Sequence, residues 1–273
     1  MIRTTQYGKV TRFDLSRDIY GIRRYWTTAY LVDNWMIDTG CAHTARELLR
    51  LLADQKIDGI INTHSHEDHI GANFHLQQRN PDLQIYAHPA SIKILESPEE
   101  YQPLHPYRHI FWGQVGSSFA KPFEAGSLIA TENYRFRVIY TPGHTSDHVC
   151  LYEPDEKWLF TGDLYVGGKD RALRAGCDIW QVIESLEKVA DLPAVRMFPS
   201  SARVRENPAK HLREKADYLV LTGQEVLDMH QEGANVQQIA RSLFGGPMLI
   251  ELITLGHFTR RRLVLSYLNQ NYD

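Results

Sequence analysis

Cysteine is scarce in this chain. Cys41, Cys150 and Cys177 are the three, an odd number with no CxxC pair. A disulfide framework is therefore not expected, and a reducing compartment fits. No apolar run approaches the roughly 18–20 residues that span a bilayer. The opening MIRTTQYGKV has no apolar stretch of the kind a secretory signal carries. We therefore expect a cytoplasmic protein without membrane attachment. A surplus of one charge is also missing: 30 Lys and Arg face 33 Asp and Glu, a formal −3. Nothing in that balance draws the chain to nucleic acid, so a small-molecule partner is expected. Repeats and low-complexity tracts do not occur.

What is present is a chain of 273 residues, 43% hydrophobic, which can bury a sizeable core. Residues 1–205 alternate short β-rich runs with turn signals and a few helices, the grammar of a mixed α/β domain. Ala45–Gln55 and Ile179–Leu192 carry helix-period apolar residues that should pack on a sheet. From Asn207 the pattern becomes helical. Asn207-Pro208 reads as an N-cap with proline in the first turn, and Leu212, Ala216, Leu219, Val220, Val226 and Leu227 then recur at helical spacing. Shorter helices follow, broken at Gly233, Gly245-Gly246 and Gly256. The reading is a catalytic domain at 1–205 and an all-helical subdomain at 206–273, whose helices could also serve a homodimer.

One local design occurs five times. An apolar run, read as a buried strand, ends in a turn of small residues. The runs are Trp35–Gly40, Gly59–His64, Val138–His144, Trp158–Asp163 and Val195–Ser201. The first four end near Asp38, His64, His144 and Asp163, and the fifth brings Ser200 and Ser201. Strand ends sharing one sheet edge are a natural place to converge ligands. The densest segment is His64-Ser65-His66-Glu67-Asp68-His69. His64 and His66, two apart in an extended segment, face the same side and can chelate one ion. Asp68 and His69 follow where the chain turns toward a helix expected over 70–78, so they can reach a neighbouring ion. Neutral imidazole and carboxylate are ligands zinc prefers. A solvated polar loop would need three histidines and an aspartate in six residues by chance.

On these residues the chain resembles the metallo-β-lactamase superfamily. His64–His69 matches its HxHxDH signature, and IDTG at Asp38, TPGH at His144 and TGD at Asp163 match its flanking motifs in order. The resemblance covers roughly residues 10–205. It implies an α/β (α+β) fold, an αββα sandwich of two mixed sheets flanked by helices. It also implies that His64, His66 and His144 hold one metal, that Asp68 and His69 hold a second, and that Asp163 bridges them. Asp38 would support the ligand loops by hydrogen bonds. The family's last motif usually supplies another histidine, and Ser201 stands in its place here. The resemblance thus implies a weakened second site, with His105 or His109 as conceivable substitutes.

The activity implied is metal-dependent hydrolysis of an ester-like bond (thioester, lactone or related acyl compound), with one or two zinc ions, or iron or manganese. Asp68 would orient the water and later accept a proton. Phosphodiester cleavage is an alternative. So is a mononuclear iron oxygenase acting on persulfides, which the lost histidine favours. Tyr165, Lys169 and Arg171, with Arg174 nearby, form a glycine-flanked cationic loop suited to a carboxylate or phosphate, or else an ordinary surface turn. Arg23, Arg24, Tyr25 and Trp26 read as a flap or a plain strand, and His105–Tyr107 with Phe111-Trp112 as an apolar wall or as core. His148 is expected to hydrogen-bond rather than bind metal, and Cys150 to be buried and inert.

Overall fold

The computed structural model describes residues 1–19, 22–23, 26–123 and 126–269. The chain opens with strands β1 (Ile2–Tyr7) and β2 (Val10–Leu15), then a short hairpin of β3 (Asp18–Ile19) and β4 (Ile22–Arg23). Arg24 and Tyr25 lie outside the described residues, and Trp26 sits under the Arg3 guanidinium at 4.4 Å. Next come β5 (Thr27–Val32), β6 (Trp35–Ile37), helix α1 (Ala45–Leu51), β7 (Gly59–Ile61), α2 (Asn73–Arg79) and β8 (Gln84–Ala87). Three short helices, α3 (Ile92–Glu96), α4 (Pro98–Tyr101) and α5 (Pro106–Phe111), lead to β9 (Lys121–Pro122). The first sheet has the order β1-β2-β5-β6-β7-β8-β9, antiparallel through β6 and parallel beyond it.

The second half brings β10 (Leu128–Ala130), β11 (Arg135–Tyr140), β12 (Val149–Glu153), β13 (Trp158–Gly162), β14 (Leu173–Arg174), α6 (Ile179–Ala190), β15 (Arg196–Pro199) and β16 (Arg205–Glu206). Apart from β14 these strands form a six-stranded mixed sheet, in which β13 and β15 run parallel. Both sheets put apolar residues on two faces. Tyr30, Val32, Ile37 and Ile61 meet Phe136, Leu151, Phe160 and Phe198 between the sheets. Met36, Ile60 and Ile85 pack against Leu48 of α1 and Leu76 of α2 on one outside, and Leu159 and Met197 pack against Ile183 and Leu186 of α6 on the other. The result is the four-layer αββα sandwich.

The last helices are α7 (Pro208–Gln231), α8 (Val236–Phe244), α9 (Leu249–Ile253) and α10 (Arg260–Tyr267), with β17 (Phe258–Thr259) before α10. Leu212, Leu219, Ile239, Leu263 and Tyr267 join the same core as α6 and the second sheet. Proline opens α7 as read from the sequence, but Asn207 adopts a left-handed φ of 54° and its side chain makes no cap bond. β17 pairs with β14, tying the C-terminal segment to the loop after β13. No described helix is long and apolar enough to cross a membrane.

Helix α2 starts later than its periodicity suggests. The backbone of 66–72 is held in turns, Thr39 N donating to the His69 carbonyl and Gly71 N to that of Gly40. Those bonds hold the histidine segment in register with the Asp38 turn.

Candidate metal centre

The five strand-end turns do meet, but across a seam. β6 and β7 belong to the first sheet and β11, β13 and β15 to the second. The site therefore lies where the two sheets share an edge.

His64 Nε2, His66 Nδ1 and His144 Nε2 converge, with His66 Nδ1 3.0 Å from the first and 3.1 Å from the last. These three form one group of potential ligand atoms within 4.8 Å of one another, and His64, His69 and Asp163 form a second. Asp163 Oδ2 lies 3.4 Å from His69 Nε2 and 3.7 Å from His144 Nε2, so it faces both groups. Asp68 Oδ2 is 3.8 Å from His69 Nε2.

The histidines differ in charge state. Burial, reinforced by neighbouring imidazoles and Arg174, holds His64 and His66 well below the usual imidazole range. Burial likewise takes His144 down to about 3 despite Asp163. These rings are neutral, as ligands must be. His69 behaves oppositely. Burial opposes its charge, yet Asp38, Asp163 and Asp68 outweigh burial and raise it well above the usual range. Asp68 is raised by burial and by Asp163. Asp163 is lowered, because His69 and His144 overcome its burial.

The donor set fits a divalent cation. His69 Nε2 is buried and makes no hydrogen bond, although two carboxylate oxygens face it. Two ligands about 2.0–2.2 Å from one ion in tetrahedral geometry lie roughly 3.3–3.6 Å apart, close to these spacings.

Supporting bonds explain why the side chains point inward. Asp38 accepts from Thr63 N and Thr63 Oγ1, both at 2.8 Å, and its Oδ2 pairs with His69 Nδ1 at 2.7 Å. It does so from a left-handed φ of 57°, a conformation that costs energy outside glycine and is held by these bonds. Gly162 is required where it stands: a Cβ there would meet His148 Nε2 at 2.7 Å. That close approach lets Asp163 N donate to His148 Nε2 at 3.2 Å, while the ring's Nδ1 contacts Thr141 Oγ1 at 2.9 Å. His148 thus hydrogen-bonds, as expected. Ser201 Oγ donates to Asp163 Oδ1 at 2.6 Å. Cys150 is fully buried, and burial pushes its thiol up to about 12.

Lys169, Arg171 and Arg174 line a cavity that His144 and Asp163 also line. Tyr165 does not follow them. It is buried in the core with Leu159, Met197 and Leu212, because the chain turns inward directly after Asp163. His105 and His109 belong to neither convergent group. His105 stacks on His257 with centroids 4.0 Å apart, and Tyr107 Oη contacts His257 Nδ1 at 2.7 Å.

Other supports escaped the sequence reading. Buried Arg108 donates to buried Glu67 beneath the histidine segment. Asp147 accepts from Ser65 N at 2.9 Å and Ser91 Oγ at 2.7 Å. The Asp-His pair that begins three residues after His144 was a visible signal for Asp147. Arg108 had none.

A profile of the metallo-beta-lactamase superfamily matches residues 27–201. The chain belongs to the metallo-beta-lactamase superfamily. Among curated relatives, it is 30% identical over 159 residues to a hydroxyacylglutathione hydrolase of Thermosynechococcus vestitus, covering 58% of this chain and 54% of that protein. It is 28% identical over 190 residues to an atrochrysone carboxyl ACP thioesterase of Aspergillus fumigatus, covering 67% and 51%. The chain thus spans about half the length of these superfamily relatives. A metallo-beta-lactamase family protein of Thermus thermophilus shares the fold, with TM-score 0.68, 19% identity, and coverage of 94% of this chain and 93% of that one.

Proposed function

We propose that this chain is a divalent-metal hydrolase of thioesters or closely related acyl esters. The observation that carries the reading is the convergence of three neutral ring nitrogens, from His64, His66 and His144, beside His69 and two carboxylates. His64, His66 and His144 would hold one ion, and Asp68, His69 and Asp163 a second, zinc being the expected metal. When bound, such an ion supplies Lewis acidity and lowers the pKa of water toward neutrality.

The chain's own groups supply the rest. Asp38 fixes the ring of His69 through Nδ1 and leaves Nε2 facing the site. Asp68, 14% exposed and made more basic by burial and Asp163, is placed to take a proton from water and deliver it to the leaving group. Water adds across the acyl C–S bond, giving a carboxylic acid and a thiol. Thioesters are favoured because one relative is named a thioesterase and another a hydroxyacylglutathione hydrolase.

Element-resolved metal analysis, followed by thioester, lactone and phosphodiester assays with and without chelator, tests the proposal. Thioester cleavage lost on chelation and restored by metal is expected. A chain that binds no zinc, manganese or iron, or activity that survives chelation, overturns it. Ser201 favours a second reading, since its hydroxyl rather than an imidazole contacts Asp163. One iron per chain with persulfide-dependent oxygen uptake would establish a mononuclear oxygenase instead.

A further inference from the structure

The metal edge opens onto a cavity of about 320 Å³ whose role is not yet accounted for. Leu164, Leu173, Ile250 and Phe258 give it apolar walls, and His144 and Asp163 line it as well. Most of its cations are engaged. Lys215 pairs with Asp170 at 2.6 Å, Arg171 donates to the Phe244 carbonyl at 2.5 Å, and Lys169 lies over the Tyr218 ring at 5.3 Å.

Arg174 differs. Its Nη2 makes one long bond, 3.4 Å, to the His144 carbonyl, and its Nε is buried without a partner. Among the described residues no carboxylate pairs with it. The bond to His144 and the cavity lining it shares with His144 and Asp163 place the guanidinium beside the metal edge. Strand pairing holds it there, with Arg174 opposite Phe258. The C-terminal segment thereby sets the position of the arginine.

A half-buried guanidinium whose buried Nε has no acceptor gains from an anion that completes it. Its planar fork matches a carboxylate in two-point contact. A single guanidinium beside the metal edge suits a monoanion. A phosphate dianion would call on further cations, and of those nearby Lys215 is paired with Asp170, Arg171 is turned to the Phe244 carbonyl and Lys169 to the Tyr218 ring.

We infer that Arg174 binds a carboxylate carried on the substrate's acyl group, so that the chain prefers half-thioesters of dicarboxylic acids to neutral acyl thioesters. The reaction rests on the hydrolase reading above, whereas the binding does not.

Calorimetry on the metal-loaded full chain with succinamate and with butyramide reads the anchor without turnover. Wild type should bind succinamate at least about tenfold more tightly, a difference of ~1.4 kcal/mol. Arg174→Met should erase that difference, and Arg174→Lys should keep part of it. Equal binding of the two amides by wild type overturns the proposal. So does full succinamate affinity in Arg174→Met with metal content intact, because the metal alone would then be the anchor. If Arg174→Met fails to fold, the wild-type ratio and Arg174→Lys still decide. Hydrolysis of the succinyl and butyryl thioesters of N-acetylcysteamine separates the two readings. Selective binding without turnover of either sinks the hydrolase and leaves the anchor standing.

Discussion

Two imidazoles with centroids 4.0 Å apart, His64 and His69, answer to opposite neighbours. Around His64, burial, His69, His144, His148 and Arg174 all suppress protonation. Around His69, three carboxylates overcome burial and favour it. The charge state of each ring is set by what the surrounding strands deliver, not by residue type. The three-histidine half is ready for a cation as it stands. The acidic half holds a proton that a metal must displace, so metal uptake there releases a proton and strengthens as pH rises.

Asp163 is the sharpest place to break this contrast, because its Oδ2 faces His69 and His144 together. Asp163→Asn removes the charge both halves share. It is expected to lower thioester kcat/KM by at least about 1000-fold, on the scale of losing an essential metal contact, and to reduce bound metal. Steady-state kinetics with metal analysis on the same preparation checks this, and unchanged values would mean that the halves do not act together.

Asp38→Asn should come next. It contacts the acidic half directly, through His69 Nδ1, and reaches the three-histidine half only by way of Thr63, and asparagine tolerates the left-handed backbone. Metal affinity should fall about 10–100-fold, as when a ligand loses its orienting carboxylate. A metal titration should show the weaker phase shifting while the tighter one stays. A shift of the tighter phase alone would reverse the assignment.

The contrast also carries a sign with pH in the metal-free protein. His144 and His148 sit at about 3 and about 4, lowered chiefly by burial. The unfolded chain, near the usual value of about 6.5, takes up protons that the folded chain refuses. Stability from these rings is complete above about 6.5 and is lost as pH falls toward their folded values. His69, raised instead, contributes stability complete below about 6.5 and lost as pH climbs through its folded value. His64 and His66 are lowered by burial as well, and these four rings outweigh one, so melting of chelated protein should drop by several degrees from about pH 7 to about pH 5, since ~1 kcal/mol moves Tm by about 2–4 °C at this size. A flat or rising Tm would contradict the assigned charge states.

The metal ligands were legible in the sequence because the chemistry demands particular residue types at short, fixed spacings: HSHEDH, TPGH and TGD each place the ligand at a strand end. The sandwich was legible through the apolar runs before them. What stayed hidden depends on contacts far apart in the chain. Arg108 reaches Glu67 across 41 positions with no periodic trace. Arg174 takes its place from a strand pairing between residues 174 and 258. Tyr165 stood near the chemistry in sequence, but spacing alone could not show that its side chain turns into the α6–α7 core.

Ser201 is expected to give the smallest effect, and its two variants pull in different directions. Its side chain is exposed, and its hydroxyl donates to Asp163 Oδ1, the oxygen turned away from His69 and His144. Water can replace that bond at an exposed position, so Ser201→Ala should change kcat/KM by less than about threefold, given the ~1 kcal/mol or less that such a bond nets. Ser201→His adds an imidazole on the acidic half, and the metal-to-protein ratio should rise toward roughly two, the count of a two-metal site. Occupancy rising in the histidine variant while alanine stays silent would identify the acidic half as the one short of a ligand. If neither variant moves metal content, Ser201 does not face the site, and the difference between the halves is then one of charge alone.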